Sequence, residues 1–131
     1  LFSQQITSLN LSDYYHYHDD TLDETVLYHI FDNCKQLQHL LLNNCFINNR
    51  HILFDCQHLP SNTLKTLALS KSSIAFLHGL ESLVNLQYLD ISHNKLKSIP
   101  NPPKSIQDVL NCIKSKSIPD TTKWMKINQN L

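Results

Sequence analysis

The chain has 131 residues, one domain's worth, and balances 11 Lys and Arg against 11 Asp and Glu, so a dedicated nucleic-acid binder is not expected. Its 22 Leu and 11 Ile beside a single Gly exclude a collagenous, low-complexity or disordered chain. No uninterrupted apolar stretch approaches the ~20 residues of a membrane helix, and no signal pattern opens the chain, so neither membrane insertion nor a secretory leader is expected. Because it begins at Leu1 rather than Met, it is expected to be a piece of a longer protein.

The first element is a short strand over Ile6-Thr-Ser-Leu9-Asn-Leu11, where aliphatic residues alternate. Thr21-Leu-Asp-Glu24 reads as a capping box, and Val26, Leu27, Ile30 and Phe31 follow at helical spacing, so a helix is predicted over Thr21 to Cys34. A second strand falls at Leu37-Gln-His-Leu40-Leu-Leu42. Arg50 to Gln57 is predicted to form a shorter helix burying Ile52, Leu53 and Cys56. A third strand falls at Leu64-Lys-Thr-Leu67-Ala-Leu69. The insert Ala75 to Leu83 has room for a 3₁₀ turn or two. The fourth strand is Leu86-Gln-Tyr-Leu89-Asp-Ile91, and the prolines at 100, 102 and 103 turn the chain out of it.

Beyond those prolines, Ser105-Ile-Gln-Asp108 caps an amphipathic helix carrying Ile106, Val109, Leu110 and Ile113, predicted over 105–116 as a cap on the core. A fifth short repeat competes for the same stretch, because Lys97-Ser-Ile-Pro100 recurs as Lys116-Ser-Ile-Pro119. Asn111 would then stand where an aliphatic residue belongs, which favours the helix. Trp124, Met125 and Ile127 either pack on that cap or open a further repeat.

The four strands align without gaps from residues 6, 37, 64 and 86, each as apolar-x-x-Leu-x-aliphatic. The last three continue through Cys45, Ser72 and Asn94 to Ile47, Ile74 and Leu96. The pattern L-x-x-L-x-L-x-x-N/C-x-L is complete at 37–47 and 86–96, departs at Ser72 in the third copy, and departs further at Tyr14 in the first. Over residues 6–99 the chain resembles the leucine-rich-repeat family. That resemblance implies an α/β fold of one domain spanning 1–131: a horseshoe-shaped solenoid with short parallel strands on its concave face and helices and 3₁₀ turns on its convex face. Asn94 and Cys45 are expected to turn inward and satisfy backbone groups in the bend after each strand.

Charge is polarised along the chain. Residues 1–60 carry 2 basic and 7 acidic side chains, a net of −5, whereas residues 61–131 carry 9 and 4, a net of +5. Such polarity steers partners.

Cys34, Cys45 and Cys56 recur every 11 residues near His51 and His58, but zinc needs close pairs converging on one tetrahedron. With Cys112 they are expected to be reduced thiols without metal, the three repeat cysteines facing the core. His16-Tyr-His18-Asp19-Asp20 has ligand chemistry, yet a polar loop accounts for it without a metal. One Gly excludes a Gly-rich phosphate loop, no nucleophile sits in a recognisable strained turn, and no catalytic residue or cofactor is assigned.

In the leucine-rich-repeat family the residues between the aliphatic ones face the concave surface and carry recognition. The resemblance therefore implies a protein-binding patch of Ser8, His39, Thr66 and Tyr88; Asn10, Leu41, Ala68 and Asp90; Asn43 and Ser92; and Asp13, Asn44, Lys71 and His93. The function expected is non-catalytic protein–protein interaction, as an adaptor or a bacterial effector, in the cytoplasm or, for an effector, the host cytoplasm. Phe31-Asp-Asn-Cys34-Lys-Gln-Leu37 is similar to repeats of F-box substrate-recruiting proteins. The alternative is accordingly a recruiting or regulatory segment of a larger enzyme such as a ubiquitin ligase. The bias to Lys over Arg, ten to one, and the 13 Asn point to an AT-rich genome, which suits an intracellular bacterium, a protist or a yeast.

Overall fold

In the computed structural model, residues 5–13, 22–45, 47–48, 53–97 and 126–128 are described. The fold is mixed α/β. Four strands, β1 (Ser8–Asn10), β3 (His39–Leu41), β6 (Thr66–Ala68) and β8 (Tyr88–Asp90), lie side by side and parallel. Their register is the one the repeat alignment predicts: Ser8, His39, Thr66 and Tyr88 form one row, and Leu9, Leu40, Leu67 and Leu89 the next. One strand this short cannot bury its apolar side alone, but parallel copies join their leucines into one layer. Leu40, Leu67 and Leu89 are fully buried, as are Leu37, Leu64 and Leu86 at the head of each copy.

Each strand ends in the same bend. Asp13, Asn44, Lys71 and His93 stand at matching places in the four copies and all have positive φ, between 56° and 62°. Asp and Asn tolerate this left-handed conformation more readily than Lys or His. The bend is held because its N–H continues the ladder: Asp13 N donates to Asn43 O at 2.9 Å, Asn44 N to Ser70 O at 2.7 Å, and Lys71 N to Ser92 O at 3.1 Å.

Immediately after the bend, Cys45, Ser72 and Asn94 reach back into the preceding copy, as expected. Asn94 Oδ1 accepts from Ser72 N and Ile74 N at 3.0 and 3.1 Å, and its Nδ2 donates to Leu69 O at 2.8 Å. Ser72 Oγ accepts from Cys45 N at 3.3 Å and lies 3.0 Å from Leu42 O. The Cys45 thiol points at Leu11 O.

The layer behind the sheet departs from expectation. The helix α1 spans Glu24–Asn33, shorter than predicted, and its N-cap is Asp23 rather than Thr21. Residues 22 and 23 form β2 (Leu22–Asp23) against β4 (Ile47–Asn48), and this pairing keeps them extended. The Asp23 carboxylate accepts from Thr25 Oγ1 and Thr25 N, and these bonds hold its pKa below the ordinary value. The helix predicted at Arg50–Gln57 is instead a strand, β5 (Leu53–Asp55), running into a 3₁₀ turn at Cys56–His58. Its partner is β7 (Phe76–His78), which precedes the expected 3₁₀ turn at Leu80–Ser82. An extended residue advances about 3.3 Å against 1.5 Å in a helix, so a short insert crosses the back of the core only if extended. Gly79 makes the following corner at φ 77°, where an added Cβ would lie 2.8 Å from Gln57 Cγ.

Aromatic packing ties these back elements together. Phe31 of α1 meets Phe54 of β5 with centroids 6.3 Å apart, and Tyr28 stacks on His58 at 4.1 Å. The Tyr28 hydroxyl accepts from Asp55 N at 3.2 Å. At the far end of the sheet, β9 (Lys126–Asn128) pairs with β8 antiparallel rather than as another parallel copy. The cap helix predicted at 105–116 lies outside the described residues. No helix among the described residues is long and apolar enough to cross a membrane.

Candidate protein-binding surface

Alternation along β3, β6 and β8 sends the leucines inward and the intervening side chains to the opposite face. There His39, Leu41, Asn43, Thr66, Ala68, Gln87 and Tyr88 line an open depression of about 390 Å³. Its row of large side chains crosses three successive copies. His39 Nδ1 lies 2.9 Å from Thr66 Oγ1, a hydrogen bond that sets the imidazole plane across the strand gap. Leu41 and Tyr88 are half-buried and supply the apolar part.

Eight of the predicted patch residues lie outside this depression. Ser8 and Asn10 are exposed on the edge strand β1, and Asn10 Oδ1 accepts from Ser12 N at 2.9 Å. Asp13, Asn44, Lys71 and His93 are the left-handed bend residues, and Asn44 Nδ2 donates to Asp13 Oδ1 at 2.9 Å. Their backbone conformation, rather than a partner, accounts for their place in the repeat. Asp90 and Ser92 are corrections: both are only 7% exposed. Asp90 Oδ1 accepts from Ser92 Oγ at 2.6 Å and Ser92 N at 3.1 Å, and β9 lies alongside with Lys126 opposite Asp90. A carboxylate already holding two donors at a covered strand has little left to offer a partner. Ala68 is also buried and contributes floor rather than a contact side chain.

Gln87 was missed by sequence reasoning. It stands one place before the strand row, a position read as part of the spacing, yet it is exposed and turned to the depression. Asn43 does two things: besides lining the depression, its Oδ1 accepts from Ser70 N and Ser70 Oγ, each at 2.9 Å.

Neither a protein-family model, nor a curated protein, nor a solved structure matches this chain. The surface must be judged on its own chemistry. It is mixed polar and apolar, and its only ionisable side chains are His39 and Tyr88.

Among the described residues no group of three or more His, Cys, Asp or Glu is placed to hold a metal ion. Cys34, Cys45 and Cys56 are buried thiols, and burial pushes the pKa of Cys56 far up and that of Cys34 up. Since the thiolate is the reactive form, these three should resist a thiol reagent while the protein is folded. Mass spectrometry after a brief maleimide pulse at neutral pH should find all three unmodified, and modified once guanidinium unfolds the chain. Rapid native labelling of Cys56 would mean that β5 and its turn do not pack as described.

Proposed function

We propose that the chain is a leucine-rich-repeat module of the solenoid type that binds a protein partner through the outward face of its sheet, and that recognition itself involves no catalysis. The observation that carries this reading is the row His39, Thr66 and Tyr88, in register across three parallel strands and lining one open depression. An aromatic and an aliphatic side chain amid hydrogen-bonding neighbours make the composition of a protein contact. The repeat reading is supported by the inward ladder of Cys45, Ser72 and Asn94 and by the recurring left-handed bend. A role as a cytoplasmic adaptor, or as an effector in a host cytoplasm, agrees with three buried thiols in so short a chain.

Tyr88 is the expected anchor, since a ring with an orienting hydroxyl gives contact area at small entropic cost. With a partner recovered by pull-down, calorimetry should show Tyr88→Ala weakening binding by about 2 kcal/mol, and His39→Ala by about 1 kcal/mol. Because Tyr88 is half-buried, some stability is lost as well, so each variant is compared at a temperature where it is folded. Phe76→Ser, on β7 outside the five-stranded sheet, should leave affinity unchanged. The reading fails if both sheet variants bind as wild type while Phe76→Ser abolishes binding.

A further inference from the structure

The two ends of the leucine layer are unlike. At the first copy Ile6 is 36% exposed and Leu9 partly exposed, whereas their counterparts in the next three copies are fully buried. The uncovered side forms an apolar depression of about 500 Å³ lined by Ile6, Leu9, His29, Ile30, Asn33 and Cys34. At the other end Leu86, Leu89 and Ile91 are covered. Apolar surface left at the end of a stack of repeats is the surface on which another layer gains most by packing.

Charge says which surface that layer carries. Among the described residues up to Cys45, Asp13, Asp23, Glu24 and Asp32 face one cation, Lys35, a net of −3. From Ser61 to Lys97, Lys65, Lys71, Lys95 and Lys97 are exposed against Glu81 and the buried Asp90, a net of +2. A contact joining two first copies would set −3 against −3. One joining the first copy to the far end of another chain would set opposite signs together.

Backbone geometry agrees. The five-stranded sheet begins at β1 and ends at β9, both three residues long and both without an outer neighbour among the described residues. Toward β3, β1 uses Thr7 O and Leu11 N, so the alternating N–H groups of Ser8 and Asn10 point outward. An edge of this kind is a template for another strand.

We propose that the chain associates head to tail with a second copy of itself, the acidic, apolar first layer of one copy receiving the lysine-bearing far end of the next, with β1 beside β9. The contact is heterologous: each copy uses one surface as donor and a different one as acceptor, so the association extends beyond a dimer unless rotation closes it. It is independent of the depression around Tyr88.

Sedimentation velocity on the 131-residue chain tests this. The wild type should gain mass with concentration and lose it as salt screens the opposed charges. Ser8→Pro removes an outward N–H without touching the bonds to β3, and Lys95→Glu/Lys97→Glu reverses charge at the far end. Each should raise the dissociation constant about tenfold or more, with circular dichroism confirming the fold. The deciding arm mixes the two variants. Each retains one intact end, so together they should form a one-to-one dimer that grows no further. The proposal is overturned if the wild type stays monomeric throughout. It is equally overturned if Ser8→Pro disperses the assembly while the lysine reversal does nothing, which marks a symmetric β1–β1 contact, or if the mixed variants fail to pair.

Discussion

Leu67→Ala is expected to lower the free energy of unfolding by about 2–5 kcal/mol, the range for removing an aliphatic side chain from a packed interior. Leu67 is fully buried and lies in register between Leu40 and Leu89, so truncation opens a void flanked by leucines from both neighbouring strands. Those neighbours are held by backbone ladders on either side and cannot collapse far into the gap. For a domain whose total stability is about 5–15 kcal/mol, such a loss populates the unfolded state appreciably. Leu9 offers an internal comparison, because it occupies the same row but is only partly buried. Leu9→Ala should cost clearly less, about 1–2 kcal/mol. Urea unfolding followed by circular dichroism gives both values. A loss under ~0.5 kcal/mol at Leu67 would mean that the strand is not in this register.

Asn94→Ala is expected to have an effect of similar size for a different reason. One carboxamide serves five backbone groups: its oxygen accepts from Ser72 N and Ile74 N, and its nitrogen stands within reach of Leu69 O, Ile91 O and Ser92 O. Its two N–H donors satisfy at most two of those carbonyls at a time. Removing the group leaves two donors and two acceptors at a turn with little access to water, a loss of about 2–4 kcal/mol after partial rehydration. Asn94→Asp is the sharper probe. It keeps the acceptor and the size but loses both donors and sets a carboxylate against carbonyl oxygens, so it should not restore stability at neutral pH. Ser72→Ala, in the matching place one copy earlier, removes a smaller set of bonds and should cost about 1 kcal/mol. Equal stability of Asn94→Ala and wild type in the same unfolding assay would show that the inward ladder contributes nothing.

The strand positions and their register were legible in the sequence because both follow from a period of two inside a repeat. Once Leu40, Leu67 and Leu89 share a column, His39, Thr66 and Tyr88 must share the neighbouring one. The inward turn of Asn94 and Cys45 was legible for a related reason: a polar or thiol side chain recurs where the backbone leaves the ladder and needs partners. The back layer was not. Ile52, Leu53 and Cys56 fit a helical spacing as well as a strand running into a tight turn. What chose the strand was β7, 23 residues further on at matching positions. Asp23 likewise became the helix cap because β4 holds the preceding residue extended, a constraint absent from the local run Thr21 to Glu24.

By itself, then, the sequence determined which residues line the interior of the sheet and which rows lie across it, because alternation and repetition are local and survive any detail of packing. Tertiary structure decided which outward-facing residues remain accessible. Asp90 and Ser92 read as part of an open patch until β9, arriving from far along the chain, pairs with β8 and the two side chains close on each other. Asp13, Asn44, Lys71 and His93 read as a recognition column until the positive φ of each shows it to be a bend. Accessibility depends on what distant segments cover and on backbone conformations that side-chain type only biases, so a repeat pattern locates the sheet face and the fold selects the His39, Thr66 and Tyr88 row within it.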